Sequence, residues 1–227
     1  SELGTPCDHG LAAKLAGWEK IERDVAWLPF IGTCVHAYLE DLFEQERVRD
    51  LENGDSGLFQ AERRVQPGFI RGEPLTGSTD LYIEHIDGVG SPGMTVDWKI
   101  VGKSTLDKVK RAGPSPQYQA QAHLYALGWN NAGWPTSHVA IYFMPRNAPS
   151  LRDGHIWTAR YDPAAALTAI ERANRLAQVL DGLAAISTET RDQYITQLPR
   201  DPSCWDCNKY PDHPKQAPIT DISTLLT

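Results

Sequence analysis

No apolar run in this chain approaches the roughly 20 residues that a membrane-spanning helix needs, so no membrane contact is expected. The first residues lack the basic-then-apolar order of a secretory signal, and the chain opens at Ser1 without Met, as after processing or trimming. A cytoplasmic location is the resulting expectation. Internal repeats and low-complexity tracts are also missing. An excess of positive charge is missing too: 22 Lys and Arg stand against 29 Asp and Glu, a net charge of −7, which argues against coating nucleic acid by electrostatics alone. Cysteine is scarce, and four residues in such a chain point to a metal or to reduced thiols, not to a disulfide framework.

What is present reads as one mixed domain of ordinary globular composition, with 227 residues to build a core. Apolar spacing predicts a helix over residues 11–27, closed by Pro29, and a second over 31–50 with Val35, Leu39, Leu42 and Phe43 as its stripe. Strands are expected over 58–66, 75–85 and 94–101, then a helix over 115–127. Two more strands, 138–144 and 154–161, precede an Ala-rich helix over 164–183 that starts at Pro163. The tail from Pro199 is Pro-rich and irregular. Helices, three strands, helix, two strands, helix pack most naturally as a mixed sheet flanked by helices.

The polar residues of the middle third carry the chemistry. Asp97 and Lys99 are two apart on a strand, so both leave one face while Trp98 turns into packing. An aspartate there can bind a cation while the lysine orients a water or helps to deprotonate it. Asp80 follows Gly77 at the start of the preceding strand, and two neighbouring carboxylates tolerate each other best around Mg²⁺ or Mn²⁺. His36 and Glu40 share a helix face near the apolar stripe. Gln117, Gln121 and Tyr125 form a line on a later helix, an amide and phenol set able to donate to phosphate oxygens without adding charge. A basic strip (Lys103, Lys108, Lys110 and Arg111) follows Lys99 and reads either as a polyanion contact or as a solvated face. A second basic patch is formed by Glu62-Arg63-Arg64 and Arg71. Each element alone is also ordinary structure: an exposed ion pair, a turn cap, a satisfied core histidine, a wet helix face. Their occurrence together, in this order, is what sets them apart.

On Gly32 and His36, Gly77 and Asp80, Asp97 and Lys99, and Gln121 and Tyr125, the chain resembles the RecB-type nucleases of the PD-(D/E)XK superfamily, especially the compact exonucleases of phages and of CRISPR adaptation. The resemblance covers about residues 30–145. It implies an α/β (α+β), restriction-endonuclease-like core with a central mixed β-sheet flanked by helices. One nuclease domain over 1–227 would have its core at about 30–162, with the helix at 11–27 and the helix and Cys-containing tail at 163–227 as embellishments. His36, Asp80, Asp97 and the backbone carbonyl of Trp98 would hold Mg²⁺ or Mn²⁺, and Lys99 would address the attacking water. Gln121 and Tyr125 would steady DNA near the scissile phosphate, with Lys103, Lys108, Lys110, Arg111 and Gln117 as further DNA contacts. Glu40 would serve a second metal or support the first.

The implied activity is metal-assisted phosphodiester hydrolysis, as a DNA exonuclease on duplex ends or single strands in recombination, repair or phage DNA metabolism. A flap-type endonuclease and a non-catalytic nucleic-acid-binding protein on the same fold are the alternatives. A recombination partner protein or a homo-oligomer fits the same family, in the bacterial host cytoplasm if the protein is phage-encoded. Some relatives also carry an iron–sulfur cluster held by one N-terminal and three C-terminal cysteines. Cys7, Cys204 and Cys207 would supply three ligands here, and His213 stands where the last cysteine is expected. The set suits a [4Fe–4S] cluster, or Zn²⁺ on three Cys and one His, or no metal, with Trp205 and Tyr210 packing the tail. Cys34, beside His36, is poorly placed to complete it.

Overall fold

The computed structural model describes residues 2–21, 27–54, 58–88, 90–202, 204 and 206–212. Among these, helix α1 (Asp8–Leu15) and the long α2 (Trp27–Glu52) precede three strands, β1 (Phe59–Ile70), β2 (Glu73–Ile83) and β3 (Gly93–Val101). Helices α3 (Lys103–Ala112) and α4 (Pro116–Asn131) lead to β4 (Thr136–Pro145) and β5 (His155–Arg160), and α5 (Pro163–Ile186) and α6 (Thr188–Gln197) follow. The strands form one mixed sheet in the order β1-β2-β3-β4-β5. Every neighbouring pair is antiparallel except β3 and β4, which run parallel. A parallel pair needs a crossover, and α3 and α4 provide it. This is the α+β fold with a helix-flanked mixed sheet that the resemblance implies.

The two faces of the sheet have separate cores. On one, Val35, Leu39 and Phe43 of α2 pack on Leu81, Val96, Trp98, Ala140 and Met144. Leu42, expected in the same stripe, is exposed. On the other face, Val101, Val139, Ile141 and Phe143 meet Ala122 and Ala126 of α4 and Leu106 and Val109 of α3. A larger cluster joins α1, α4, α5 and α6 to Val65, Ile70, Leu75 and Tyr82. Ala166, Ala169, Ala173 and Ala177 make α5 thin along its buried stripe, so it lies close against its neighbours.

Several boundaries differ from the sequence reading, for local reasons. Helix α1 stops at Leu15 because Gly17 adopts a left-handed φ of 75° and its N–H returns to Lys14. Pro29 does not close a helix: it lies in the first turn of α2, where its missing N–H costs nothing. Residues 22–26, in the expected 11–27 helix, lie outside the described residues. The basic strip is helix α3, whose buried Leu106 and Val109 are outnumbered by charges. Ser187 ends α5 and caps α6 by accepting from Thr190 N at 3.0 Å, so helix continues to Gln197. No helix among the described residues is long and apolar enough to cross a membrane.

Helix α4 packs closely against β1 at Gly128. A methyl group there would meet Val65 Cγ2 at 2.6 Å and its Cβ at 2.8 Å. Gly128→Ala gains about 0.8–1.0 kcal/mol of helix propensity, but overpacking against a stiff β-branched neighbour costs about 1–3 kcal/mol. A net loss of up to roughly 2 kcal/mol is expected, read as a lower denaturation midpoint with unchanged denaturant dependence. A midpoint at or above that of the parent would contradict this packing.

Candidate active site

Strands β2 and β3 pair only from Leu81–Val96 to Ile83–Met94. Beyond Leu81 the strands part, and the side chain of Asp80 takes over: its Oδ2 accepts the backbone N–H of Trp98 at 2.6 Å. The Trp98 ring is clamped on the opposite face, stacked on Phe43 with ring centres 5.8 Å apart and an interplanar angle of 11°. Alternation along β3 then turns Asp97 and Lys99 away from α2 and toward α4. Lys99 Nζ lies 2.7 Å from Asp97 Oδ2 and 5.4 Å from the centre of the Tyr118 ring. From α4, Gln121 donates to the hydroxyl of Tyr125 at 2.9 Å, and both side chains are buried.

His36 reaches this opening from α2, with Nδ1 3.2 Å from Asp80 Oδ1 and 3.9 Å from Glu62 Oε1. One ligand atom each from His36, Glu62 and Asp80 can be found within 4.8 Å of one another. These residues, with Asp97, Lys99, Gln121 and Tyr125, line a cavity of about 550 Å³ whose wall also includes Gly32, Glu40 and Ser78. The residues expected from the sequence at His36, Glu40, Asp80, Asp97, Lys99, Gln121 and Tyr125 thus surround one space. Lys103, Lys108, Lys110, Arg111 and Gln117 do not line it. Lys103 pairs with Asp107 at 3.5 Å, and Lys110 donates to the Asp153 carbonyl at 2.6 Å.

Glu62 is the site residue that sequence reasoning missed, having been counted with its arginine neighbours. Its position follows from a bulge. Near the turn, Ile70 pairs with Glu73 and Gly68 with Leu75, whereas Val65 pairs with Gly77. Gln66 and Pro67 therefore face Thr76 alone, and Pro67 has no N–H for the ladder. This extra residue shifts the register by one, and a shift by one moves a side chain to the other face. Glu62 falls between the pairs Ala61–Leu81 and Arg63–Thr79, across from Asp80. Its φ of 46° lies in the left-handed region, a cost on the order of 1 kcal/mol for a non-glycine residue. The available signal was the turn at Arg71-Gly72 with Pro67 upstream of it, which marks a bulged hairpin.

The electrostatics follow from burying several acids together. Burial, then the charges of Asp80 and Glu40, push the Glu62 carboxyl up to about 7. Donation of a hydrogen bond to the Asp80 carboxylate raises the His36 imidazole above its ordinary value. Burial works against the Lys99 charge, but Asp97 and Asp80 prevail and hold its amine above the usual range. Lys99 is therefore an ammonium. Burial and the Asp97 charge keep Tyr125 a neutral phenol.

Cys7, Cys204 and Cys207 also come together, far from this cavity in sequence, with sulfur atoms within 4.8 Å of one another. His213 and Trp205 lie outside the described residues. Tyr210 is buried in the largest core cluster, and Cys34 is exposed on α2.

The chain matches no family model and no curated protein. Among solved structures it is similar to a protein from Eubacterium rectale assigned as an exonuclease, at 17% identity over 95% of this chain and 85% of that one, with a TM-score of 0.45. A phage-related exonuclease from Haemophilus somnus 129PT is 14% identical over 84% of this chain and 81% of its own, with a TM-score of 0.42. A third structure aligns at 12% identity and a TM-score of 0.43 over 66% of this chain and 62% of the other, so the chain spans less than two thirds of that protein. These likenesses are distant.

The Glu62 shift has a definite sign. Its folded carboxyl holds a proton more tightly than the ordinary value of 4.5, so stability is fully present below pH 4.5 and is lost as pH rises through about 7. The raised His36 imidazole adds to the same trend, losing its contribution as pH rises above its ordinary value of 6.5. In chelator-treated protein, Glu62→Gln should therefore raise stability at pH 8 by on the order of 2–3 kcal/mol, read as a higher thermal midpoint, and leave the midpoint unchanged near pH 4. An equal effect at both pH values would show that Glu62 is not desolvated among acids.

Proposed function

We propose that this chain is a metal-dependent DNA exonuclease that hydrolyses phosphodiester bonds at DNA ends or in single strands, in recombination, repair or phage DNA metabolism. The observation that carries the reading is the convergence of His36, Glu62 and Asp80 beside the Asp97–Lys99 pair in one cavity. Buried acids also repel one another, and burial first, then the charges of Asp80 and Glu40, push the Glu62 carboxyl up. Oxygen donors with one imidazole fit Mg²⁺ or Mn²⁺, the imidazole favouring Mn²⁺. His36, Glu62 and Asp80 would hold the ion, with Asp97 at its border; Glu62 thus joins the ligands expected from the sequence. When bound, such an ion polarises a phosphoryl oxygen and offsets the charge that develops on it.

The remaining chemistry belongs to the chain. Lys99, protonated and steadied between Asp97 and the Tyr118 ring, can donate to a phosphoryl oxygen and orient an attacking water. As an ammonium it cannot accept a proton, so its part is electrostatic. Gln121 and neutral Tyr125 offer donors to the sugar–phosphate backbone without repelling the acids beside them. A cavity of about 550 Å³ with part-buried walls suits one end of one strand better than an intact duplex. Any basic surface on α3 would act outside it, on more distant phosphates.

Purified protein with Mn²⁺ or Mg²⁺ should degrade end-labelled linear DNA and leave covalently closed single-stranded circles intact. Lys99→Ala and Asp80→Asn should each lower the rate at least ~10²–10³-fold while the protein stays folded by circular dichroism. Cut circles would point to the flap-type endonuclease. Linear DNA that is bound but never cut, or cutting that survives both substitutions, would overturn the reading.

A further inference from the structure

A second cluster of ligand atoms lies away from the cavity, where the start of α1 meets the C-terminal segment. Cys7 caps α1, and its sulfur lies 2.9 Å from that of Cys207, with all three thiols inside 4.8 Å. His9, with no exposed surface, points Nδ1 at Cys207 Sγ from 3.3 Å. Its Nε2 has no hydrogen-bond partner among the described residues and faces Asp212 at 3.9 Å. Gly10 N donates to Cys7 Sγ at 3.4 Å. A methyl group on Gly10 would come within 3.3, 3.6 and 3.7 Å of the Cys204, Cys7 and Cys207 sulfurs, so the backbone of α1 forms a lid over all three.

We propose that Cys7, His9, Cys204 and Cys207 hold a single zinc ion, with His9 Nδ1 as the fourth ligand. A tetrahedral zinc with Zn–S of about 2.3 Å sets its sulfurs roughly 3.8 Å apart and a sulfur–imidazole edge near 3.6 Å. The sulfurs of Cys7 and Cys207 are 2.9 Å apart and all three sulfurs lie within 4.8 Å of one another, which brackets the sulfur edge. His9 Nδ1, 3.3 Å from Cys207 Sγ, stands outside that 4.8 Å group and has to turn toward the other two sulfurs to complete the tetrahedron. A cubane cluster makes a different demand: each cysteine binds a different iron, and the body of the cluster holds the sulfurs apart. Three sulfurs within 4.8 Å of one another under a backbone lid lie closer together than the body of such a cluster would hold them, so these residues as arranged do not fit a [4Fe–4S] group. The supporting contacts match a zinc site as well, with an N–H aimed at a thiolate and a carboxylate near the outer imidazole nitrogen.

Such an ion would close nearly the whole chain into a loop, joining residues 200 positions apart. Around it the two segments are already joined by Ile21 N to Lys209 O at 2.7 Å and by Lys20 to Asp206 at 3.2 Å. The role is structural and separate from the proposed nuclease site.

Full-length protein purified without chelator should be colourless and contain one zinc and little iron per chain by elemental analysis. Replacement by Co²⁺ should produce the intense visible bands of a tetrahedral thiolate site. His9→Ala should weaken zinc retention in a chelator competition by at least roughly 10–100-fold, as large as the loss from an outer-shell change, whereas Cys34→Ala should retain the parent affinity. Should His9→Ala fail to fold, parent protein treated with a zinc-selective chelator should release one zinc and free three thiols in addition to that of exposed Cys34. A brown, iron-containing preparation, undiminished zinc in His9→Ala, or a metal-free protein with Cys7 and Cys207 oxidised to a disulfide would each overturn the assignment. DNA cleavage does not enter any of these outcomes, so the nuclease reading stands or falls separately.

Discussion

The hydrogen bond from Trp98 N to Asp80 Oδ2 is the constraint on which the rest of the site depends. It stands where the β2–β3 ladder would otherwise continue, and it allows the strands to separate without leaving a buried N–H unpaired. A charged acceptor makes such a bond worth about 1.5–3 kcal/mol. The separation opens a gap that His36 enters from α2 and that Asp97 and Lys99 border from β3. Trp98 is held from both directions, by its ring on Phe43 and by its N–H on Asp80. Since Asp97 and Lys99 flank Trp98 in the chain, their orientation is fixed by that double anchorage more than by any contact of their own.

Against this single favourable bond stand several unfavourable terms. Glu62, Asp80 and Asp97 share a partly dry cavity, and two like charges about 4 Å apart repel by roughly 4 kcal/mol at an intermediate dielectric. Lys99 and His36 offset part of this, and Glu62 takes up a proton near pH 7 to relieve more. The left-handed φ of Glu62 adds backbone strain at the same place. Strain and like-charge crowding concentrated at one point of a well-packed sheet are characteristic of a site shaped for a ligand that brings positive charge.

The readable parts of the sequence were those governed by short-range rules. Period-two alternation placed Asp97 and Lys99 on one face and Trp98 on the other, and helical spacing put Gln121 beside Tyr125. Five strands could be located because each is bounded by turn residues. What failed was non-local or masked. Glu62 depends on a register that a single bulge residue changes, and no local pattern announces which face the far end of a hairpin presents. Helix α3 carries only two buried side chains under a coat of charge, so composition hid its period. Pro29 is equally at home one residue past a helix or inside its first turn, and local sequence does not distinguish the two. His9 was passed over because it lies two residues from Cys7, whereas the resemblance directs attention to the far end of the chain.

The cavity wall and the cysteine cluster are linked through α4. Its inner face carries Tyr118 beneath Lys99, and Gln121 and Tyr125 at the cavity wall. Its outer face is pressed by the N-terminal segment, where a methyl group on Gly4 would lie 2.6 Å from Ala120 Cβ and 2.8 Å from the Gln117 carbonyl. That contact leaves no slack, so the position of the N-terminal segment and the position of α4 are one variable. Residues 3–15 are held in turn by Arg172, which pairs with Asp8 at 2.6 Å and reaches the Thr5 carbonyl, and by the cysteine cluster at the start of α1. Fixing both chain ends to each other therefore stiffens the helix that presents the neutral donors. Lys99 and the acids, by contrast, are fixed by the sheet. The two halves of the cavity thus rest on different supports, and loosening the contact between the N-terminal and C-terminal segments should disturb Gln121 and Tyr125 while leaving Glu62, Asp80 and Lys99 in place.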